Sequence, residues 1–143
     1  MVRQALVVLA VGLLFAADAK DKDKTDDDRI KGTWLLQTEE QDGNQKQFEG
    51  NAITVIFAAE GKGKVKYASG RDDLDLTYQL DATRKPPQIT VEGGGHTLNG
   101  IYKLDGDTLT ICFTKDSTAE RPAEFVAKEG DGRVLVVLKR EKK

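Results

Sequence analysis

From Lys31 onward, apolar and polar side chains alternate with a period of two, and nothing else in the chain restricts its fold so strongly. Ile53, Val55 and Phe57 fall on one face of an extended segment, with Ala52, Thr54 and Ile56 on the other. Beyond the turn Glu60-Gly61-Lys62-Gly63, Val65 and Tyr67 alternate with Lys64 and Lys66. Leu74, Leu76, Tyr78 and Leu80 then alternate with Asp73, Asp75, Thr77 and Gln79, the cleanest half-buried strand in the chain. Successive side chains of a strand point to opposite faces, so each such segment buries one face and wets the other. Ile89 and Val91 resume the pattern after Pro86-Pro87. Leu98, Gly100, Tyr102 and Leu104 resume it after Gly93-Gly94-Gly95. Past the first twenty residues, no ten-residue window carries a helical apolar stripe.

Turn chemistry sets how the strands connect. Asp105-Gly106 predicts a tight hairpin, because primed turns need positive φ at their central residues. It leads into Leu109, Ile111 and Phe113, with Thr108, Thr110, Cys112 and Thr114 on the opposite face. Asp131-Gly132 introduces Val134 to Leu138, the most continuous apolar strand. Strands are predicted near 33–39, 46–49, 52–58, 63–68, 73–80, 88–92, 97–104, 108–114 and 133–140, the second being the weakest. The fold class is all-β and antiparallel. About eight strands joined by sequential hairpins suit an up-and-down barrel, which removes exposed edges by closure; a β-sandwich satisfies the same alternation.

The first thirty residues have a different character. Arg3 precedes an apolar run from Ala5 to Ala17, broken only by Gly12, and Ala17-Asp18-Ala19 supplies small residues where a signal peptidase reads. The run is short of the ~20 residues a membrane span needs. Residues 1–19 therefore read as a cleaved signal peptide. The chain is expected to be exported, periplasmic or extracellular, with no stable membrane insertion. Lys20 to Arg29, KDKDKTDDDR, has no apolar side chain to offset the entropy of ordering, so 20–30 is expected to be a charged flexible tether ahead of a barrel domain at 31–143. Its aspartates lack the Gly and Glu spacing of a calcium loop.

Composition excludes several activities. A net charge of −2 argues against binding nucleic acid by phosphate neutralisation. Lys62, Lys64, Lys66 and Arg71 are followed by Asp72, Asp73 and Asp75, which reads as a solvated face. A single cysteine, Cys112, forms no internal disulfide and no thiolate zinc cage, so it is either buried and inert or paired between chains. A single histidine, His96, builds no His-rich metal site. A catalytic triad would need His96 with Ser69 or Ser117, and neither serine sits in Gly-x-Ser-x-Gly. His96 follows three glycines, a poor platform for a base, and Cys112 lies mid-strand without a helix N-terminus to activate it. Gly93-Gly94-Gly95 lacks the Lys-Ser/Thr of a phosphate loop. Carboxylate pairs for glycoside chemistry stay open, because their spacing is spatial. The chain is expected to be no enzyme and to carry no cofactor and no metal.

Gly32-Thr33-Trp34 opens the first strand and resembles the Gly-x-Trp signature of lipocalin-like barrels, in which the Trp closes one end of the barrel. The resemblance implies an Arg from the last strand packing over that Trp, and Arg140 in Leu138-Lys139-Arg140 is placed to do so by cation–π contact. Gly100 to Leu109 (GIYKLDGDTL), Ile111-Cys112-Phe113, Arg121-Pro122-Ala123-Glu124-Phe125 and Val137 to Arg140 are also similar to an uncharacterised exported lipocalin-like domain family abundant in planctomycete bacteria. That likeness spans about residues 31–140 and implies fold and compartment, but brings no catalytic residues. The stretch 84–97 departs from it, with Gly93-Gly94-Gly95 read as a short flexible connection. Arg121, extended by the following Pro122, is expected to pair with Glu124 and tie a loop to the barrel rim.

Phe57, Tyr67, Tyr78, Tyr102 and Phe113 share the inward register. They would line a cavity for a small apolar ligand in an eight-stranded barrel whose interior is not filled. The same side chains serve equally as core filling, which would make the chain an interaction or structural module of the cell envelope. Interior volume separates the two readings.

Overall fold

The computed structural model describes residues 25–116 and 118–141; the predicted signal peptide and the first tether residues, 20–24, lie outside them. The described chain forms a five-residue helix, α1 (Asp26–Ile30), and nine strands: β1 (Gly32–Gln41), β2 (Asn44–Gln47), β3 (Ile53–Phe57), β4 (Lys62–Tyr67), β5 (Leu74–Asp81), β6 (Gln88–Gly93), β7 (His96–Asp105), β8 (Thr108–Thr114) and β9 (Arg133–Arg140). Every pairing is antiparallel between chain neighbours except two, β1 with β3 and β1 with β9. The β1–β9 ladder, from Trp34↔Arg140 to Gln41↔Val134, joins the two ends of the sheet and turns it into a closed eight-stranded barrel. Such a ladder is absent from a sandwich, so the alternative architecture is excluded.

β2 is the ninth strand and stands outside the barrel. It pairs only with the second half of β1, Thr38 to Gln41, and all four of its residues are exposed. Its turn is built by Asp42 and Gly43, both at positive φ. The β7–β8 turn is shifted by one residue from the sequence expectation. Asp105 pairs with Thr108, so the central residues are Gly106 and Asp107, and of the two only Gly106 has positive φ. One glycine at the first central position is the requirement of the other primed turn type.

The expected flexible tether is corrected for its last residues. Thr25 caps α1, its hydroxyl accepting from the Asp28 amide, and Asp26, Asp27 and Asp28 fill the first turn, where negative charge suits the helix dipole. The cause is Ile30, one residue past the charge run. It is fully buried, and its burial draws the acidic turn onto the barrel end.

That end is closed by polar contacts around apolar packing. The Trp34 Nε1–H donates to the Ile30 carbonyl at 2.8 Å, and the Arg140 guanidinium lies 4.3 Å from the centre of the Trp34 ring. Arg140 also donates to the carbonyls of Arg29 and Lys31. The Tyr102 hydroxyl donates to Asp26 at 2.6 Å, and that of Tyr78 to the Ala58 carbonyl at 2.7 Å. Burial, first of all, raises both phenols above their ordinary pKa of 10.0. A raised folded-state pKa means the contribution to stability is complete below about pH 10 and is lost as the pH climbs above it. Urea midpoints are therefore expected to fall between pH 9 and 11, and to fall less in Tyr102→Phe; an identical alkaline slope in the variant refutes the assignment.

Outside the wall, the segment 118–132 packs over the outward face of β7 and β8. Ile101 and Cys112 are cross-strand partners on that face, and both are buried, together with Ala127 of the segment. Arg121 holds the segment down. Its guanidinium donates to the carbonyls of Ile89 and Gly100 at 2.9 and 2.7 Å, and to Thr90 Oγ1 and Asn99 Oδ1. The expected Arg121–Glu124 pair is therefore corrected: Glu124 is exposed, and the arginine takes neutral acceptors on β6 and β7. Gly100 permits the close strand approach here, since a Cβ at this position would sit 2.4 Å from the Cys112 carbonyl oxygen.

Candidate functional site

At the end opposite α1 the barrel is open, and inside it lies a cavity of about 220 Å³. Leu36, Val55, Val65, Leu76, Ile111 and Val136 form its walls; Phe57, Ile89 and Leu138 lie toward the closed end. Leu74, Val91, Leu98, Phe113 and His96, with Gly93, complete the lining toward the mouth. These side chains come from all eight barrel strands, and each occupies the inward register that alternation dictates. The lining is aliphatic, aromatic or glycine apart from His96, which is exposed to solvent.

The five inward aromatics separate by depth. Phe57 and Phe113 line the cavity. Tyr78 meets the Phe57 ring edge-on, with centroids 4.9 Å apart, and lies on the closed side of it; Tyr102 lies deeper still, against α1. Both fill the floor and stand outside the lining. Tyr67 lies at the mouth end of β4, also outside the lining, with the Arg71 guanidinium stacked 4.4 Å from its ring centre. Trp34 and Arg140 belong to the floor. Leu36, Val136 and His96 also line the cavity; sequence reading weighs His96 only as a base or metal ligand and places none of the three in the barrel interior. Leu36 follows Trp34 by two residues, and His96 precedes Leu98 by two, so the same alternation points to both.

The three glycines before His96 are also revised. Gly93 ends β6 opposite His96, and Gly94 and Gly95 form a two-residue turn with φ of 58° and 81°. Positive φ at both positions is the requirement of a tight hairpin, so the connection is a defined turn and not a flexible one.

Nucleophile chemistry finds no support in this arrangement. Cys112 faces outward beneath Val126, whose carbonyl lies 3.5 Å from its sulfur, and burial pushes its thiol pKa up. His96 is in the inward register of β7, on the other side of the wall. Among the described residues no three His, Cys, Asp or Glu side chains cluster to hold a metal ion. A larger groove, about 610 Å³, runs outside the barrel between α1 and the stretch of β5 that extends past the end of β4. Asp27, Glu60 and Glu92 face Lys31 and Lys62 there, and such walls gain little from excluding water. The interior cavity is the site with a physical reason to be filled by something other than water.

The model of the lipocalin-like domain family matches residues 30–121, more than half of the chain. The chain belongs to this lipocalin-like family. No curated protein and no solved structure matches it. In this lipocalin-like protein the matched stretch starts at Ile30, the residue buried beneath Trp34, and runs through β8. Most of the outer segment, and β9 with Arg140, lie beyond the match and are placed by the barrel geometry. No helix among the described residues is long and apolar enough to cross a membrane.

Proposed function

We propose that this lipocalin-like protein is an exported binding protein that holds a small apolar ligand in its barrel and performs no chemistry on it. The observation that carries the reading is the interior cavity of about 220 Å³ with its aliphatic and aromatic walls. An apolar cavity of about 150 Å³ already stays dry and accepts benzene, so this one has room for a single substituted ring or a short hydrocarbon chain. Burying such a body releases roughly 25 cal/mol for each Å² of apolar surface removed from water. Export rests on the composition of residues 1–19. It predicts a secreted chain whose first residue, by intact mass, is Lys20.

Native mass spectrometry of the protein purified from its own envelope, compared with its denatured mass, tests the binding reading. A reproducible extra mass that vanishes on denaturation is expected. Val136→Phe, which extends a ring into the cavity from its wall, is expected to abolish that extra mass while leaving the urea midpoint unchanged or higher. A bare mass in every preparation, together with failure to bind any single-ring hydrocarbon, overturns the reading.

A further inference from the structure

We infer that the groove beside α1 docks an extended segment of a partner protein, which adds to the free edge of β5 as a further strand and carries a basic side chain. The charged walls of this groove gain little from excluding water, but they border an unpaired run of backbone. The β4–β5 ladder ends at Lys62↔Thr77, while β5 continues to Asp81 and stays paired with β6 to its end. Four consecutive residues, Thr77 to Leu80, line the groove of about 610 Å³. A strand shows only alternate side chains to either face, so an unbroken run of four means that the groove follows the strand's edge.

The local backbone keeps that edge open. Glu60 and Gly61, both at positive φ, carry the chain away from β5 between β3 and β4. The Tyr78 carbonyl oxygen faces this turn, 2.8 Å from where a Cβ on Gly61 would lie. Leu80, two residues on, turns its N–H and C=O to the same side, where no described strand pairs with it. A guest strand there takes the course that β4 would follow if it began earlier. Folds commonly blunt such edges with lysine, proline or a bulge. Tyr78 to Asp81 has none of these, and its register against β6 is unbroken.

The side chains around the groove select the guest. Asp27, Glu60 and Glu92 make no ion pair with a described residue, and Lys31 is held by Asp28 at 3.5 Å. Among the described groove residues Lys62 alone is left to oppose three carboxylates, an excess that favours a basic side chain on the guest. Main-chain hydrogen bonds to the edge supply affinity, and the charged walls choose the sequence.

The test selects binders of the full chain from a displayed library of short random peptides and measures the best of them by fluorescence anisotropy. Selected sequences are expected to carry lysine or arginine. The Leu80 amide is expected to exchange rapidly in the free protein, and bound peptide is expected to slow it by about tenfold or more. Methylating the peptide's backbone nitrogens, which leaves its charge unchanged, is expected to abolish binding. Glu60→Lys combined with Glu92→Lys, both at exposed positions, is expected to weaken binding about tenfold. A library without a binder, a Leu80 amide already protected in the free monomer, or binding indifferent to methylation or to charge reversal overturns the site. Protection of Leu80 that rises with protein concentration in the absence of peptide gives the edge to a second copy of the chain, and overturns the partner with it.

Discussion

Trp34→Ala is expected to lower the unfolding free energy by roughly 3–5 kcal/mol, the range for truncating a large buried aromatic. Trp34 has no exposed surface, and three other features of the barrel floor depend on it. Its Nε1–H is the partner of the Ile30 carbonyl, its ring carries the Arg140 guanidinium, and it packs with Ile30 in the core. Removing the indole leaves a void, and the short helix α1 loses its seat. The Tyr102–Asp26 hydrogen bond is then expected to loosen with the helix. Trp34→Phe separates the contributions: it keeps most of the apolar contact and deletes the N–H, so its loss is expected to be about 1–3 kcal/mol. Urea denaturation followed by circular dichroism reads both variants. An unchanged midpoint for Trp34→Ala would remove the tryptophan from the core and with it this account of the floor.

Arg121→Met is expected to act on the opposite side of the molecule. The side chain keeps an apolar stem but forfeits hydrogen bonds to four neutral acceptors, two of them backbone carbonyls of β6 and β7. A hydrogen bond to a charged group contributes about 1.5–3 kcal/mol. The four share one guanidinium and are not additive, so a total of roughly 2–4 kcal/mol is expected. Most of it should appear as local opening of the segment 118–132 before global unfolding. The thiol of Cys112 provides the readout, because it is buried beneath that segment. Its reaction with an aromatic disulfide reagent is expected to accelerate by about tenfold or more, since 1.4 kcal/mol of lost protection is a factor of ten. Arg121→Lys should fall between the two, because a single ammonium cannot span the same fork of acceptors. A thiol rate unchanged by Arg121→Met would show that something else clasps the segment.

Much of the fold is legible in the chain because one physical rule, alternation over a half-buried sheet, repeats along it. Leu74 to Leu80 and Leu109 to Phe113 announce their strands without reference to anything distant. Closure is different. It depends on Trp34 meeting Arg140, a pairing between opposite ends of the domain, and local periodicity carries no information about it. The helix α1 is missed for a related reason. Its own residues are charged, and its only apolar member, Ile30, gains its burial from residues far along the chain.

In the site, alternation tells which side chains point inward but not how deep they lie. Phe57 and Tyr78 share a register, yet one lines the cavity and the other fills the floor, because depth depends on the stagger between strands. Arg121 is instructive in the same way. Its sequence neighbour Glu124 suggests an ion pair, while the carbonyls that it binds belong to strands twenty or more residues away.

The floor also decides where the chain enters and leaves the barrel. α1 leads into β1 there, β9 ends there, and the amide of Glu141 donates to the Thr33 carbonyl at 2.8 Å. Residues 25 and 141 therefore sit on the side away from the mouth. A tag, surface linkage or fused domain attached at either one leaves the cavity entrance unobstructed. A circular permutant that joins them and opens the chain at the exposed β1–β2 turn keeps every barrel strand intact.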